Sequence, residues 1–439
     1  PVIIITQNEA EKNEKSRSKQ VKTWRFKAKD VRDFAFTSSR KFIWDAMGVK
    51  FGNRTVMAMS YYPKEANPLY ERYSTRAVAH TLRVYSKYTF EYPYPVAISV
   101  EASNGMEYPM ICFNYGRPEK DGTYTERIKY GMISVIIHEV GHFYFPMIVN
   151  SDERQWTWMD EGLNTYLQFI TEQEWDRNYP SRRGPPKNIV SYMKGNKNNI
   201  SPIMTNSESI YQFGNNAYGK PATALNILRE TIVGRELFDF AFKEYSKTWM
   251  FKHPTPSDFF RILENASAVD LDWFWRGWFY GTDPVDLSID NVTWYTLDTK
   301  NPDIEFPLRK KKKDEEPIQI WQERNKIDIQ ETVVEIDEVA NDFYNKYDPF
   351  EVTILDKEEF SRYRDSSVVE PREKEIYNAN LNYYEIKFSN VGGLVMPIIL
   401  QLNYEDGTDF IIKIPAEIWK MNRKQITKIF ATKKQVSSF

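Results

Sequence analysis

Hydrophobic and polar positions change rhythm three times along this chain of 439 residues. Residues 1 to about 38 alternate partially, in VIIIT and in KTWRFKAKDVRDFAFTSS around a charged turn, and such alternation marks half-buried strands. From about Lys41 the pattern becomes mixed. TVMAMSYY (Thr55–Tyr62) and PVAISVEA (Pro95–Ala102) read as strands, and NPLYERYSTRAVAHTLRVYSKY between them reads as a helix opened by Asn67 and Pro68. MEYPMICFNY contains Pro109, which has no N–H to give to a ladder, so this segment is expected at a sheet edge.

Helical spacing dominates from about Glu126 to Gly281, in HEVGH, WMDEGLNTYLQFITEQEW, PATALNILRETIV and TPSDFFRILENAS. In the last of these Thr255 is an N-cap and Pro256 the first helical residue. Strands return in NYYEIKF, GLVMPIILQLNY and DFIIKIP, with EDGT as a turn. The expected organisation is therefore 1–38 as the end of a β domain whose upstream part is missing, 39–290 as a mixed domain, and 291–439 as a β-sandwich-like domain. Pro1 opens the chain in mid-pattern without an initiator Met, which suggests a trimmed amino end.

Composition changes this picture little. A formal net charge of −2, from 59 basic and 61 acidic side chains, gives no global field for nucleic acid. The basic run RKKKKDEE (Arg309–Glu316) is followed at once by acid and is expected to be a solvated loop. The single cysteine, Cys112, excludes an internal disulfide. The most apolar stretch, Gly131–Asn150, contains His138, Glu139 and His142, which argues against a membrane span.

That stretch is where the chemistry concentrates. The chain has only four histidines, yet two of them, His138 and His142, stand four apart and flank Glu139. On a helix this spacing puts both imidazoles on one face, about 6 Å apart along the axis, so both can reach one Zn²⁺ at about 2.0–2.1 Å. Glu139 projects beside such a metal and is placed to accept a proton from water. After eighteen further residues comes Glu161, at the start of a second helical pattern, completing a two-His-one-Glu ligand set. Three protein ligands with a position left open are what a catalytic zinc needs, whereas closed structural sites are usually rich in cysteine. Asn164, Thr165 and Gln168 follow within two turns and read either as partners of the ligands or as helix surface. His80 and His253 have no partner pattern and read as structural.

HExxH, eighteen residues and then Glu resembles the signature of the gluzincin zinc aminopeptidases, the aminopeptidase N family (peptidase family M1). VRDFAF resembles the end of that family's N-terminal β domain. GMEYPM resembles its exopeptidase stretch, AYGKPATALNIL the segment of its catalytic tyrosine, and DLDWFWRGWFYGTDPVD the end of its helical subdomain. The resemblance implies an α+β multidomain protein in which a thermolysin-like zinc peptidase domain, a mixed sheet plus a mainly helical subdomain, is flanked by all-β segments. It further implies one Zn²⁺ per chain and peptide substrates with a free N-terminus. Tyr218 would stabilise the oxyanion, while Glu107 and Met106 would bind the substrate's first residue. At the exopeptidase stretch Asn104 and Tyr108 stand where the family has glycine and asparagine, and Pro221 follows Lys220 where glycine is common. The first two departures leave open an endopeptidase or other hydrolase on the same site, and a non-enzymatic binding protein is the third alternative.

Overall fold

A computed structural model describes residues 26–439. The expected strands VIIIT and the start of KTWRF lie outside the described residues, and Phe26–Ser38 forms no regular strand. The chain divides into two compact units, one made of residues up to Asp286 together with Asn390–Pro397, the other of Leu287–Ser389 and Ile398–Phe439.

The first unit is built on a five-stranded sheet in the order β1-β2-β3-β5-β4. These strands are β1 (Ile43–Phe51), β2 (Arg54–Tyr62), β3 (Val96–Glu101), β4 (Met106–Tyr108) and β5 (Ile111–Asn114). β1 and β2 pair as an antiparallel hairpin, β2, β3 and β5 run parallel, and β4 returns antiparallel to β5. Alternation in β2 sends Val56, Ala58, Ser60 and Tyr62 into the core, while β3, at the centre, is buried along its whole length. Pro109 falls in the turn after β4, which is the sheet edge.

Helix α1 (Thr75–Tyr88) makes the crossover between the parallel strands β2 and β3. Helix α2 (Glu126–Gly141) packs on β3 and β5 and also against α1 and α3 (Leu163–Trp175). Helices α4 (Lys220–Ile227), α5 (Arg235–Thr248) and α6 (Pro256–Ser267) extend this helical part. α6 starts as expected, with Pro256 at its first position and a capping box in which the Thr255 amide donates to Asp258 at 2.9 Å.

The second unit contains two three-stranded sheets, β10-β7-β6 and β11-β8-β9. Their strands are β6 (Leu287–Thr296), β7 (Asn382–Asn390), β8 (Ile398–Tyr404), β9 (Asp409–Ile414), β10 (Gln425–Thr432) and β11 (Val436–Ser438). The span expected to be β-sandwich-like also holds helices between Pro302 and Ala379, all inserted between β6 and β7. The basic run expected as a loop lies largely in one of them, Pro302–Asp314, with its lysines exposed. Lys, Glu and Arg are strong helix formers, and dense charge does not oppose a solvated helix. Among the described residues no helix is long and apolar enough to cross a membrane.

Candidate metal centre

Helix α2 is anchored before it carries any chemistry. The Thr125 side chain caps it, accepting from the Ile128 amide at 3.2 Å. Met132, Ile133, Ile136, Ile137 and Val140 are buried, each contributing roughly 1.5–3 kcal/mol of transfer free energy. With that face fixed, His138, Glu139 and His142 fall together at the helix's carboxyl end.

Glu161 and Tyr218 both sit in π-helical turns, Trp158–Gly162 leading into α3 and Gly214–Gly219 leading into α4. A π turn rotates the side chains after it relative to an α-helix and is often found at functional sites. The two turns meet closely at Gly162, where a Cβ would come within 2.6 Å of the Pro221 side chain and 3.0 Å of the Ala217 carbonyl. Pro221, a departure noted in the sequence, is thus part of this contact.

The three ligand candidates converge. His138 Nε2 lies 3.1 Å and His142 Nε2 3.2 Å from Glu161 Oε2, and the two Nε2 atoms are 3.0 Å apart. The remaining contacts of the rings fix their tautomers. His142 Nδ1 faces only acceptors, the Phe145 carbonyl at 2.8 Å and Asp160 Oδ1 at 2.9 Å, so it carries hydrogen. His138 Nδ1 faces Gln168 Oε1 at 2.8 Å; the Gln168 amide nitrogen is occupied in donating to Glu172 at 2.9 Å, so this Nδ1 also donates. In the neutral rings both Nε2 lone pairs then point, with a carboxylate oxygen, at one place. Such a donor set fits a divalent cation such as Zn²⁺. Its electrostatics agree. Burial alone would lower the basicity of His142, but the Asp160 and Glu161 carboxylates more than offset it, so the cluster favours a positive charge, whether proton or metal. Burial would raise the Glu161 carboxyl, yet His142 and His138 hold it well below the usual carboxylate range.

Glu139 stands beside this cluster. It is buried, its Oε2 has no hydrogen-bond partner among the described residues, and burial pushes its carboxyl up to about 7 despite the nearby histidines. Gly105 abuts it so closely that a Cβ there would come within 2.2 Å of Oε1. The Tyr218 hydroxyl donates to Glu161 Oε1 at 2.6 Å, and its ring stacks on His138 with centroids 5.7 Å apart. Glu107 lies on edge strand β4 opposite Cys112, and its carboxylate comes within 4.8 Å of ligand atoms of both His142 and Asp160. Met106, beside it, is 41% exposed. All seven residues singled out in the sequence therefore belong to one region of the first unit.

Of the three polar residues on α3, Gln168 orients His138, and Asn164 donates to the His138 carbonyl at 2.9 Å while accepting from Tyr85 at 2.7 Å. Thr165 lines the neighbouring cavity instead. His80 and His253 lie away from the cluster, contacting the carbonyls of Thr171 and Asn150. Sequence reasoning missed Asp160, Gly105 and Arg183. Asp160 adjoins Glu161 and could have been suspected from that alone. Arg183, whose guanidinium lies 4.2 Å from the Tyr218 ring centroid, carries no motif.

Fold and site together define a class: an α+β domain in which the end of one helix and the π turn leading into the next bring together two histidines and a glutamate, a donor set that could hold a metal, beside a sheet edge. The family model for the peptidase family M1 domain matches residues 73–278, the segment that carries this whole cluster. The glutamyl aminopeptidase of Sus scrofa is 29% identical over 144 residues, covering 31% of this chain and 15% of the relative. Probable aminopeptidase 1 of Sulfurisphaera tokodaii is 24% identical over 228 residues, covering 48% of this chain and 29% of the relative. The matched segment is thus under a third of the length of these curated relatives. Aminopeptidase A of Legionella pneumophila shares the fold over 91% of this chain and 36% of its own, with a TM-score of 0.52 and 14% identity.

Proposed function

We propose that this protein is a zinc-dependent metallopeptidase, an aminopeptidase that removes the first residue of peptides with a free amino end. The observation carrying this reading is the meeting of His138, His142 and Glu161 donor atoms within 3.2 Å of one another, beside the unpartnered carboxylate of Glu139. The aminopeptidases among its relatives support it.

One zinc held by His138, His142 and Glu161 would supply a Lewis acid for the scissile carbonyl and lower the pKa of water toward about 7. Glu139 takes the proton from the attacking water and returns it to the leaving amine; Gly105 leaves room for its Oε1, and its Oε2 has no hydrogen-bond partner among the described residues. Tyr218 turns its hydroxyl from Glu161 to the oxyanion, a charge present only as the reaction proceeds. Edge strand β4 pairs with the extended substrate backbone, Met106 contacts the first residue and Glu107 receives its ammonium.

The test compares aminoacyl fluorogenic substrates with N-acetylated peptides, with and without a chelator. Free-amino substrates should be cleaved, chelator should abolish this, and acetylated peptides should be inert. Glu107→Ala should cost roughly 2–4 kcal/mol of transition-state binding on free-amino substrates, the scale for unpairing a buried charge. Equal cleavage of acetylated and free peptides would replace this reading with an endopeptidase.

A further inference from the structure

A cavity of about 580 Å³ opens beside the metal-ligand cluster, and it is walled at one end by His138, Glu139 and Tyr218. Its other walls carry three arginines, Arg127, Arg182 and Arg183. Among the described residues none of these guanidiniums has an ion pair or hydrogen bond; Arg183 only lies over the Tyr218 ring. Three acids share these walls, and the Glu172 carboxylate acts on Arg183 through space, but none of them makes an ion pair with these arginines among the described residues. Glu172 is engaged by Ser134, Gln168 and Ser181, Glu139 faces the reaction, and Glu126 stands at the first turn of α2.

Position assigns the cavity an end of the substrate. The Glu107 carboxylate gathers with His142 and Asp160, whereas the cavity meets the cluster at His138 and does not include Glu107 in its walls. With the substrate's amino end at Glu107, whatever follows the scissile bond enters the cavity. Arg183 is nearest the reaction, since it stacks on Tyr218. Arg127 stands eleven residues before His138 on α2, about 16 Å along the axis, and so faces the far end. All three arginines are exposed to water, but like-charged forks around one recess attract an anion, and a carboxylate matches the guanidinium fork in plane and spacing.

We propose that this cavity recognises a carboxylate on the leaving side of the scissile bond, either the terminal carboxylate of a short peptide or an acidic side chain in the second residue. The inference rests on the peptidase reading, with Glu107 holding the amino end. Its test uses the zinc-loaded protein and three substrates with one amino-terminal residue: Ala-Ala, Ala-Ala amide and Ala-Asp amide. At least one carboxylate substrate should exceed Ala-Ala amide by about tenfold or more in kcat/KM, the scale of charge-assisted hydrogen bonds. Preference for Ala-Ala alone identifies the terminal carboxylate, and preference for Ala-Asp amide alone the side chain. In the double variant Arg182→Gln, Arg183→Gln this ratio should collapse toward one. Arg182→Glu should instead raise Ala-Lys amide relative to Ala-Asp amide, a gain that misfolding does not produce. Equal cleavage of all three substrates by the wild type overturns the inference and leaves the peptidase reading standing. Cleavage of none removes both.

Discussion

Helix α2 buries Ile133, Ile136 and Ile137 completely, whereas Ile320, Ile327 and Ile354, on helices of the second unit, are 67, 81 and 77% exposed. The two regions are both helical for different reasons. α2 is held by packing on strands β3 and β5 and on two neighbouring helices. After Pro302–Asp314, which Asn301 caps alone, the helices up to Ala379 begin in capping boxes, such as Thr332 with Glu335 and Thr353 with Asp356, and the whole set buries almost none of its side chains. This difference teaches where precise chemistry can be built. A ligand cluster with donor atoms 3.0–3.2 Å apart needs a scaffold whose rotamers are locked on several sides, and only the packed region supplies one.

The largest effect expected on the packed side is catalytic. Glu139→Gln keeps the shape of the site but removes the base, so turnover should fall by about a hundredfold to ten-thousandfold with zinc content unchanged. Steady-state kinetics beside elemental analysis checks this; loss of zinc with unchanged turnover per bound metal would make Glu139 a ligand instead.

Next comes the scaffold itself. Ile136→Ala, at a fully buried position, should cost about 2–5 kcal/mol of stability, read as a lowered denaturation midpoint. An unchanged midpoint would mean that α2 is not held by its packing, and the contrast with the second unit would lose its basis.

A smaller effect is expected one shell out from the metal. Gln168→Ala removes the acceptor for His138 Nδ1, and zinc affinity should weaken by about ten- to a hundredfold in a competition titration with a chelator. Unaltered affinity would return Gln168 to the cavity wall.

The smallest belongs to the exposed helices. Ile327→Ala should shift stability by no more than about 0.5 kcal/mol, because the side chain it shortens already meets water. A loss comparable with that of Ile136→Ala would show that the exposed face is covered in solution.

Much of the first unit was legible from pattern alone. Alternation located β2, the run at Pro95–Ala102 gave β3, and Pro109 announced the sheet edge at β4. The helical insertion of the second unit was not, because a polar, uncovered helix has no apolar stripe to reveal its period.

At the site, sequence by itself determined which chemical groups stand together and in what order: His138, Glu139 and His142 follow from helical spacing, which is local geometry and survives any tertiary arrangement. Glu161 could be named from its distance in the chain, but its approach to 3.1 Å from His138 depends on α2 packing against α3. Tertiary structure alone decided which proton each imidazole carries, through Gln168 and the Phe145 carbonyl, and the clearance that Gly105 gives Glu139. It alone also gathered Arg127, Arg182 and Arg183 around one recess. The reason is physical. Spacing along one helix is fixed by covalent geometry and backbone hydrogen bonds, whereas contacts between distant segments are set by the packing of a whole core, which no short stretch of sequence contains.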